Sequence, residues 1–202
     1  MHDPMSQKPF MWNKNNPLQY SDPSGYYTFD NGTSDQQKQF DAAAKAMDKR
    51  VLSKMSTLKK TSTEYKALAA FHEDLQKGSG NWHIRFGSSG DPQAGGYTNV
   101  NTVIRGEHNS TIAGVGATVI DTTRNNNASD WAATLAQEGG IFEVASGRAG
   151  AAAKRDFAEA SWMDYGNTEY RGPNMPPGPS DMARDNVVNA LYNIPLGVPQ
   201  DY

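Results

Sequence analysis

Glu138 is the residue of this chain best placed to do chemistry, because it lies in the middle of a largely apolar stretch, residues 131–148. Trp131, Leu135 and Ala145 recur there at three- to four-residue steps, with Ile141 or Phe142 between them. This spacing predicts an amphipathic helix. A carboxylate held by such a helix can serve as a general acid or a general base, so Glu138 is the candidate catalytic residue.

The start and the middle of this helix carry two further signals. Ser129 and Asp130 are the N-cap candidates, because their side chains can accept hydrogen bonds from the first backbone amides. Gly139 and Gly140 each cost on the order of 1 kcal/mol inside a helix relative to alanine. The pair therefore predicts either the end of the helix or the close approach of another backbone.

Residues 134–148, TLAQEGGIFEVASGR, resemble the active-site helix of effector-type zinc metallopeptidases, the zincins. In that family the helix reads His-Glu-x-x-His. The two histidines bind Zn²⁺, and the glutamate polarises the zinc-bound water. Aligned on Glu138, the ligand positions hold Gln137, whose amide is a poor zinc ligand, and Ile141, whose side chain has no lone pair. The resemblance therefore implies a zincin-like fold with a degenerate metal site.

The metal content is left open by this pattern. If zinc is retained, the resemblance implies that its ligands come from other parts of the chain. The residues with suitable side chains are His83, His108, Glu159, Asp164, Glu169 and Asp185.

Residues 9–26 resemble the closing segment of the core of Rhs or YD-repeat proteins, through the ordered pattern NNPLQYSDPSG. In that family the core is a β-cage, and the chain is cut after this motif to release a variable C-terminal domain, usually a toxin. The resemblance implies a processing junction at Asp22, Pro23, Gly25 and Tyr26, with Asp22 as the candidate carboxylate. Taken alone, DPSG is also an ordinary β-turn sequence.

The Rhs resemblance divides the chain into the end of the core with its junction, residues 1–26, and a C-terminal toxin or effector domain, residues 27–202. The partners that it implies are the upstream Rhs cage, a protein or peptide substrate and a cognate immunity protein. We expect secretion, or delivery into a target cell by a secretion system. The first ten residues, MHDPMSQKPF, lack the pattern of a signal peptide.

The order of the predicted elements favours an α+β fold. Residues 34–55 predict a helix with Ser34 and Gln37 as a capping box, and residues 63–78 predict a second helix with Gly78 as its C-cap. Residues 81–86, 99–105 and 117–121 predict strands. In zincins a strand like the last one runs beside the active-site helix, and its edge receives an extended substrate. We therefore expect helices packed on a small mixed or antiparallel sheet, with an extended N-terminal Rhs core remnant.

Composition excludes several other function classes. The chain has no cysteine, which removes disulfides and thiolate catalysis. Its formal net charge is -3, and no basic cluster exceeds Lys59-Lys60, which argues against a nucleic-acid partner. No run of about 18 apolar residues is present, so we expect no membrane span.

Two other functions fit the same helix. Residues 136–152 resemble the catalytic segment of lysozyme-like lytic transglycosylases, in which Glu138 would act as general acid on a glycosidic bond of peptidoglycan. Alternatively, the domain is a non-catalytic protein-binding module. Ile141 would then belong to the core, and Glu138 would pair with Arg148 or Lys154 on an exposed surface. His72 beside Glu73 is a weaker acid-base candidate, since a histidine on a helix flank is usually packed or solvated.

Overall fold

The computed structural model describes residues 26–78, 80–90, 94–105 and 109–166. Within them, helices and strands follow each other in the order β1 (Tyr26–Phe29), α1 (Ser34–Met55), α2 (Thr63–Asp74), β2 (Gln76–Lys77), β3 (Trp82–Phe86), β4 (Gly96–Ile104), β5 (Ser110–Ile120), α3 (Ala128–Ser146) and α4 (Ala151–Gly166).

The strands form one five-stranded mixed sheet in the order β2-β1-β3-β5-β4. The neighbours β2, β1, β3 and β5 pair in parallel. Strand β4 pairs antiparallel with β5 and is the outer strand of the described sheet. The predicted α+β class, with helices on a small mixed sheet, is confirmed at this level. The chain passes from β1 to its parallel neighbours β2 and β3 through α1 and α2, whereas it passes from β3 to its parallel neighbour β5 through strand β4.

Both N-terminal helices form where the periodicity predicted them, but two of their ends differ. Thr33, not Ser34, caps α1, since its hydroxyl accepts from the amide of Gln36 while the Gln36 side chain accepts from the amide of Thr33. Helix α2 ends at Asp74 rather than continuing toward Gly78. Leu75 is the C-cap, and Gln76 and Lys77 leave the helix because they pair with β1 as strand β2.

The three predicted strands are present with shifted bounds. Strand β3 shows the expected alternation, with Trp82, Ile84 and Phe86 buried and the residues between them exposed. Strands β4 and β5 are longer than predicted, because they extend each other as an antiparallel pair with two register shifts. Strands β1 and β2 were not predicted, since pieces of four and two residues carry too little periodicity to be recognised.

An aromatic cluster joins the helices to the sheet. Phe40 on α1 is fully buried, and its ring contacts five others in mostly edge-to-face geometry. These belong to Tyr27, Phe29, Trp82, Phe86 and Trp131. Phe40 therefore fixes α1 against strands β1 and β3 and against the start of α3.

The last described helix is separate from α3. Gly147 adopts a left-handed conformation, with φ of 88°, and ends α3. Gly150, with φ of 110°, precedes α4. Phe157 of α4 packs with Val144 and Ala145 of α3 in a second, smaller apolar cluster that also covers part of the β4–β5 pair. None of the described helices is long and apolar enough to cross a membrane.

Replacing Phe40 tests the role of this cluster. We expect Phe40→Ala to lower the free energy of unfolding by about 3 to 5 kcal/mol, because it removes a buried ring and leaves a cavity. Leu52→Ala, on the exposed side of the same helix, is the control and should change stability by less than about 1 kcal/mol. Urea unfolding of both variants is the measurement. Equal effects would show that the cluster does not anchor α1.

Candidate functional site

Glu138 lies on the buried side of α3, with 4% of its surface exposed. The helix that carries it begins one residue after Asn127, whose side-chain oxygen accepts from the amides of Ser129 and Asp130 at 2.8 and 3.0 Å. Asn127 is therefore the N-cap, and the prediction of Ser129 or Asp130 is wrong. The interpretation of Glu138 as an exposed surface residue is also wrong, because the helix buries this side chain against the sheet.

A chain of hydrogen bonds connects Glu138 to the core. Thr98 Oγ1 donates to Glu138 Oε2 at 2.8 Å, and the hydroxyls of Thr98 and Thr118 lie 2.9 Å apart. Trp82 Nε1 donates to Thr118 Oγ1 at 2.8 Å. An indole N–H can only donate, so the Thr118 hydrogen is left for Thr98 and the Thr98 hydrogen for Glu138. The chain thus has one direction and ends on the carboxylate.

Strand β4 is irregular where it meets Glu138. Its pairing with β5 shifts register between Thr98 and Val100 and again between Asn101 and Thr102. Such bulges change the direction of neighbouring side chains and are frequent beside active sites. Here the first shift follows directly after Thr98, the residue that donates to Glu138.

The glycine pair does not end the helix, which continues to Ser146. A Cβ atom added at Gly139 would lie 2.2 Å from Cε2 of Phe71, on α2. The group that approaches α3 is therefore an aromatic ring rather than the backbone that we expected. Gly139 is required because a side chain at this position would displace α2.

The residues at the ligand positions do not fit zinc. Gln137 and Ile141 are both half-buried on α3, beside Glu138. An isoleucine cannot coordinate a metal, and a glutamine amide is not among the usual zinc ligands. The described residues contain no group of three histidine, aspartate or glutamate side chains arranged to hold an ion. Gln137 and Ile141 therefore cannot hold a catalytic ion beside Glu138.

Among the other residues suggested as replacement ligands, His83 is directed away from Glu138. His83 lies on the outward side of β3, alternating with the buried residues, and its Nδ1 is 2.7 Å from Asp30 Oδ1. Glu159 and Asp164 belong to α4. His108, Glu169 and Asp185 lie outside the described residues. His72 pairs with Asp48 of α1, so its partner is not the neighbouring Glu73.

The same helix carries a second buried carboxylate, which the sequence did not single out. Glu143 is 1% exposed and faces Asp74, at the end of α2, which is fully buried. Arg148 donates from Nε to Asp74 Oδ2 at 2.9 Å, and from Nη2 to Glu73 Oε2 at 2.9 Å. Arg148 Nε is 3.6 Å from Glu143 Oε1. One guanidinium thus holds three carboxyl groups, two of them removed from water.

Burial shifts the pKa values of both carboxyl groups of this acid pair upward. Burial raises the pKa of the Glu143 carboxyl well above its ordinary value of 4.5, and the hydrogen bond and charge of Asp74 raise it further. Burial also raises the pKa of Asp74, although Arg148 opposes the shift. Asp74 has the shorter contact with Arg148, and the larger upward pKa shift falls on Glu143, so Glu143 is the carboxyl group that favours a bound proton. This proton can bridge to Asp74 Oδ1, which otherwise has no hydrogen-bond partner among the described residues.

Sequence reasoning had one signal for this pair. Glu143 is flanked by Phe142, Val144 and Ala145, and a carboxylate inside an apolar run is a candidate for burial. Its partner Asp74 could not be found in this way, because contact between α2 and α3 is set by the tertiary structure.

The junction residues lie mostly beyond the described part of the chain. Asp22, Pro23 and Gly25 are outside it, and Tyr26 is the first residue of β1. Comparisons of the chain with protein-family models, with curated proteins and with solved structures gave no match.

The hydroxyl chain can be tested at Thr98. We expect Thr98→Val to lower the free energy of unfolding by about 1 to 3 kcal/mol, because it removes a donor from the buried Glu138 carboxylate. Thr98→Ser should restore most of the loss. Chemical denaturation measures both, with Thr102→Val on the same strand as control. If valine at position 98 is no worse than valine at position 102, the bond to Glu138 does not contribute to stability.

The acid pair predicts a pH dependence of stability. The pKa of Glu143 is higher in the folded than in the unfolded protein. Its contribution is therefore complete below pH 4.5, and it is lost as the pH rises toward the folded pKa. The resulting slope reaches about 1.4 kcal/mol per pH unit. We expect Glu143→Gln to remove this component, which urea unfolding at several pH values above 4.5 can measure.

Glu73→Gln is the matched control for this measurement, because Glu73 belongs to the same cluster but is mostly exposed. It should leave the slope close to that of the unsubstituted protein. An unchanged slope in Glu143→Gln would mean that Glu143 is ionised in the folded state.

Proposed function

We propose that residues 27–202 form a toxin-type C-terminal domain of an Rhs protein. In this proposal the domain is related to zinc metallopeptidase effectors, acts on a protein or peptide target and lacks ordinary zinc-dependent hydrolysis. The observation that carries the proposal is the place of Glu138. It is buried in the middle of α3, and the edge-strand residue Thr98 donates to its carboxylate.

The relation between α3 and β4 supports the zincin part of the proposal. In the zincin arrangement a strand lies beside the active-site helix, next to its glutamate. The strand expected to receive substrate, at residues 117–121, belongs to β5, which lies between β3 and β4 and has no free edge in the described sheet, so that expectation was wrong. The strand that contacts Glu138 from the edge is β4, through Thr98. Gly139, the residue after Glu138, packs against the ring of Phe71. Helix α2 therefore contacts α3 on the turn that carries Glu138.

The outer edge of β4 supports a peptide target. Tyr97, Asn99 and Asn101 alternate along this strand with their side chains exposed, and β4 has a strand neighbour on only one side in the described sheet. An edge strand offers backbone donors and acceptors to an extended peptide, which adds as a further strand. Alternate side chains then provide the specificity.

The loss of hydrolysis follows from the chemistry of Gln137 and Ile141. A glutamate general base needs an activated water, and neither residue can help to hold an ion that activates one. Release after the junction, delivery into a target cell and an immunity protein belong to the same proposal, and they rest on the Rhs resemblance of residues 9–26.

The lytic transglycosylase alternative remains a prediction. It requires Glu138 to reach a glycosidic bond, so release of peptidoglycan fragments that is lost in Glu138→Gln would favour it over a peptide target.

Restoring the two ligands tests the proposal directly. We expect Gln137→His with Ile141→His to bind about one zinc per chain and to gain peptidase activity, since the two imidazoles would lie one turn apart on one helical face. The third protein ligand that a catalytic zinc needs would come from His108, Glu169 or Asp185. Metal analysis and cleavage of unfolded casein are the measurements. Adding Glu138→Gln to the double variant should abolish cleavage while zinc is kept.

Two results would contradict the proposal. One is stoichiometric zinc in the unsubstituted protein purified without chelator, which would mean that the site is not degenerate. The other is a folded double variant that neither binds zinc nor cleaves, which would remove the support for the zincin relation. The single histidine variants are the matched controls, because each supplies only one new ligand.

A further inference from the structure

A cavity of about 550 Å³ lies between α1 and the segment that leads into α3. It is separate from the Glu138 site, since its nearest residue on the Glu138 side of α3, Ala132, is six residues from Glu138, or about 9 Å along the helix. Pockets of this size hold drug-sized molecules or metabolites.

The lining of the cavity is partly apolar and partly polar. Ala42, Ala43, Ala46 and Met47 of α1 line it together with Trp131 and Ala132 of α3. The polar lining consists of Gln39, Arg50, Thr122 and the three consecutive asparagines 125–127. Such a combination suits a ligand with an apolar or flat body and one polar end.

Arg50 gives the cavity its charge. Its Nη1 atom is buried and has no hydrogen-bond partner among the described residues. A buried donor without a partner is unfavourable, and in folded proteins such groups are usually satisfied by protein, water or a ligand. The described lining residues include neither aspartate nor glutamate, so the positive charge of Arg50 has no opposing charge in the lining.

The polar residues near the start of α3 are already held in place. Asn125 donates to the carbonyls of Gly95 and Asp121 and accepts from Thr134. Asn127 caps α3. These bonds make this part of the lining a preformed surface, whereas the guanidinium of Arg50 retains an unused donor.

We propose that this cavity binds a small organic anion. Its carboxylate or phosphate would accept hydrogen bonds from Arg50, and its flat or apolar body would lie against Trp131 and the alanines of α1. Arginine suits such a group because its planar fork can donate two parallel hydrogen bonds to one oxyanion. The proposal is independent of the function assigned to Glu138, because it uses different residues.

Titration of the full chain followed by ¹H–¹⁵N NMR tests this proposal. Benzoate presents a carboxylate on a flat body, benzamide is its neutral counterpart, and inorganic phosphate presents the other oxyanion. We expect benzoate, phosphate or both to give saturable shifts of the amides of Asn126, Asn127, Ala128 and Trp131, and benzamide to give none. The response to each anion distinguishes a carboxylate ligand from a phosphate ligand.

Substitutions identify the residue responsible. Arg50→Gln should weaken binding by about tenfold or more, as expected for the loss of hydrogen bonds from a charged donor. Lys49→Gln is the matched control, because it removes the same charge from the next residue of α1, which does not line the cavity. Ala46→Leu should also weaken binding, since it fills the cavity from an exposed position without a change of charge.

The proposal would be overturned if neither anion bound, or if benzamide bound as well as benzoate. It would also be overturned if Arg50→Gln, shown to be folded by its thermal unfolding, bound the anion as tightly as the Lys49→Gln control.

Discussion

The fold depends on how α3 buries two carboxylates on one helix. Glu138 and Glu143 are five residues apart, which places them about 140° apart around the helix axis. They therefore cannot share a partner. Glu138 turns to the sheet, where Thr98 of β4 donates to it, and Glu143 turns to α2, where Asp74 and Arg148 meet it. Because an unpartnered buried carboxylate is costly, both contacts have to form together. The orientation of α3 between sheet and α2 is fixed by this requirement, rather than by apolar packing alone, which tolerates rotation of a helix more easily.

The two buried carboxyl groups of α3 are held in different ways. The chain of hydroxyls from Trp82 to Glu138 satisfies its donors in sequence, so it places a carboxylate without leaving a charge unanswered. The pair of Asp74 and Glu143 depends on a proton and on a single guanidinium, and polar clusters of this type contribute more to a unique arrangement than to the net free energy of folding. Glu138, beside the edge strand, thus accepts a hydrogen bond from Thr98, whereas Glu143, between α3 and α2, depends on Asp74 and Arg148 for its partners. Only the first of them contacts the edge strand β4.

Much of the helical layer could be predicted from the sequence, because the period of the apolar residues is a local property. The burial of Glu138 followed from its place in an apolar stretch, and the strand at residues 82–86 followed from strict alternation. The cap of α1 was placed one residue too late, since Thr33 and Ser34 are both good capping residues and only backbone geometry decides between them. Strands β1 and β2, the order of the sheet, the reason for Gly139 and the partner of Glu143 were beyond reach. Each depends on contacts between residues far apart in the chain, and periodicity in a single sequence reports only on local structure.

The contact between Gly139 and Phe71 limits how this protein can vary. Phe71 and Asp74 are three residues apart on α2, so they lie on neighbouring parts of one helical face. A larger residue at position 139 would push away the ring of Phe71 and, with it, the turn that brings Asp74 to Arg148. Alanine favours helices in general. At position 139, however, it would disturb both the packing against Phe71 and the contact between Asp74 and Arg148. Thermostable variants of this domain should therefore keep Gly139. Their helix-favouring changes should instead occur on the exposed side of α1, around Leu52.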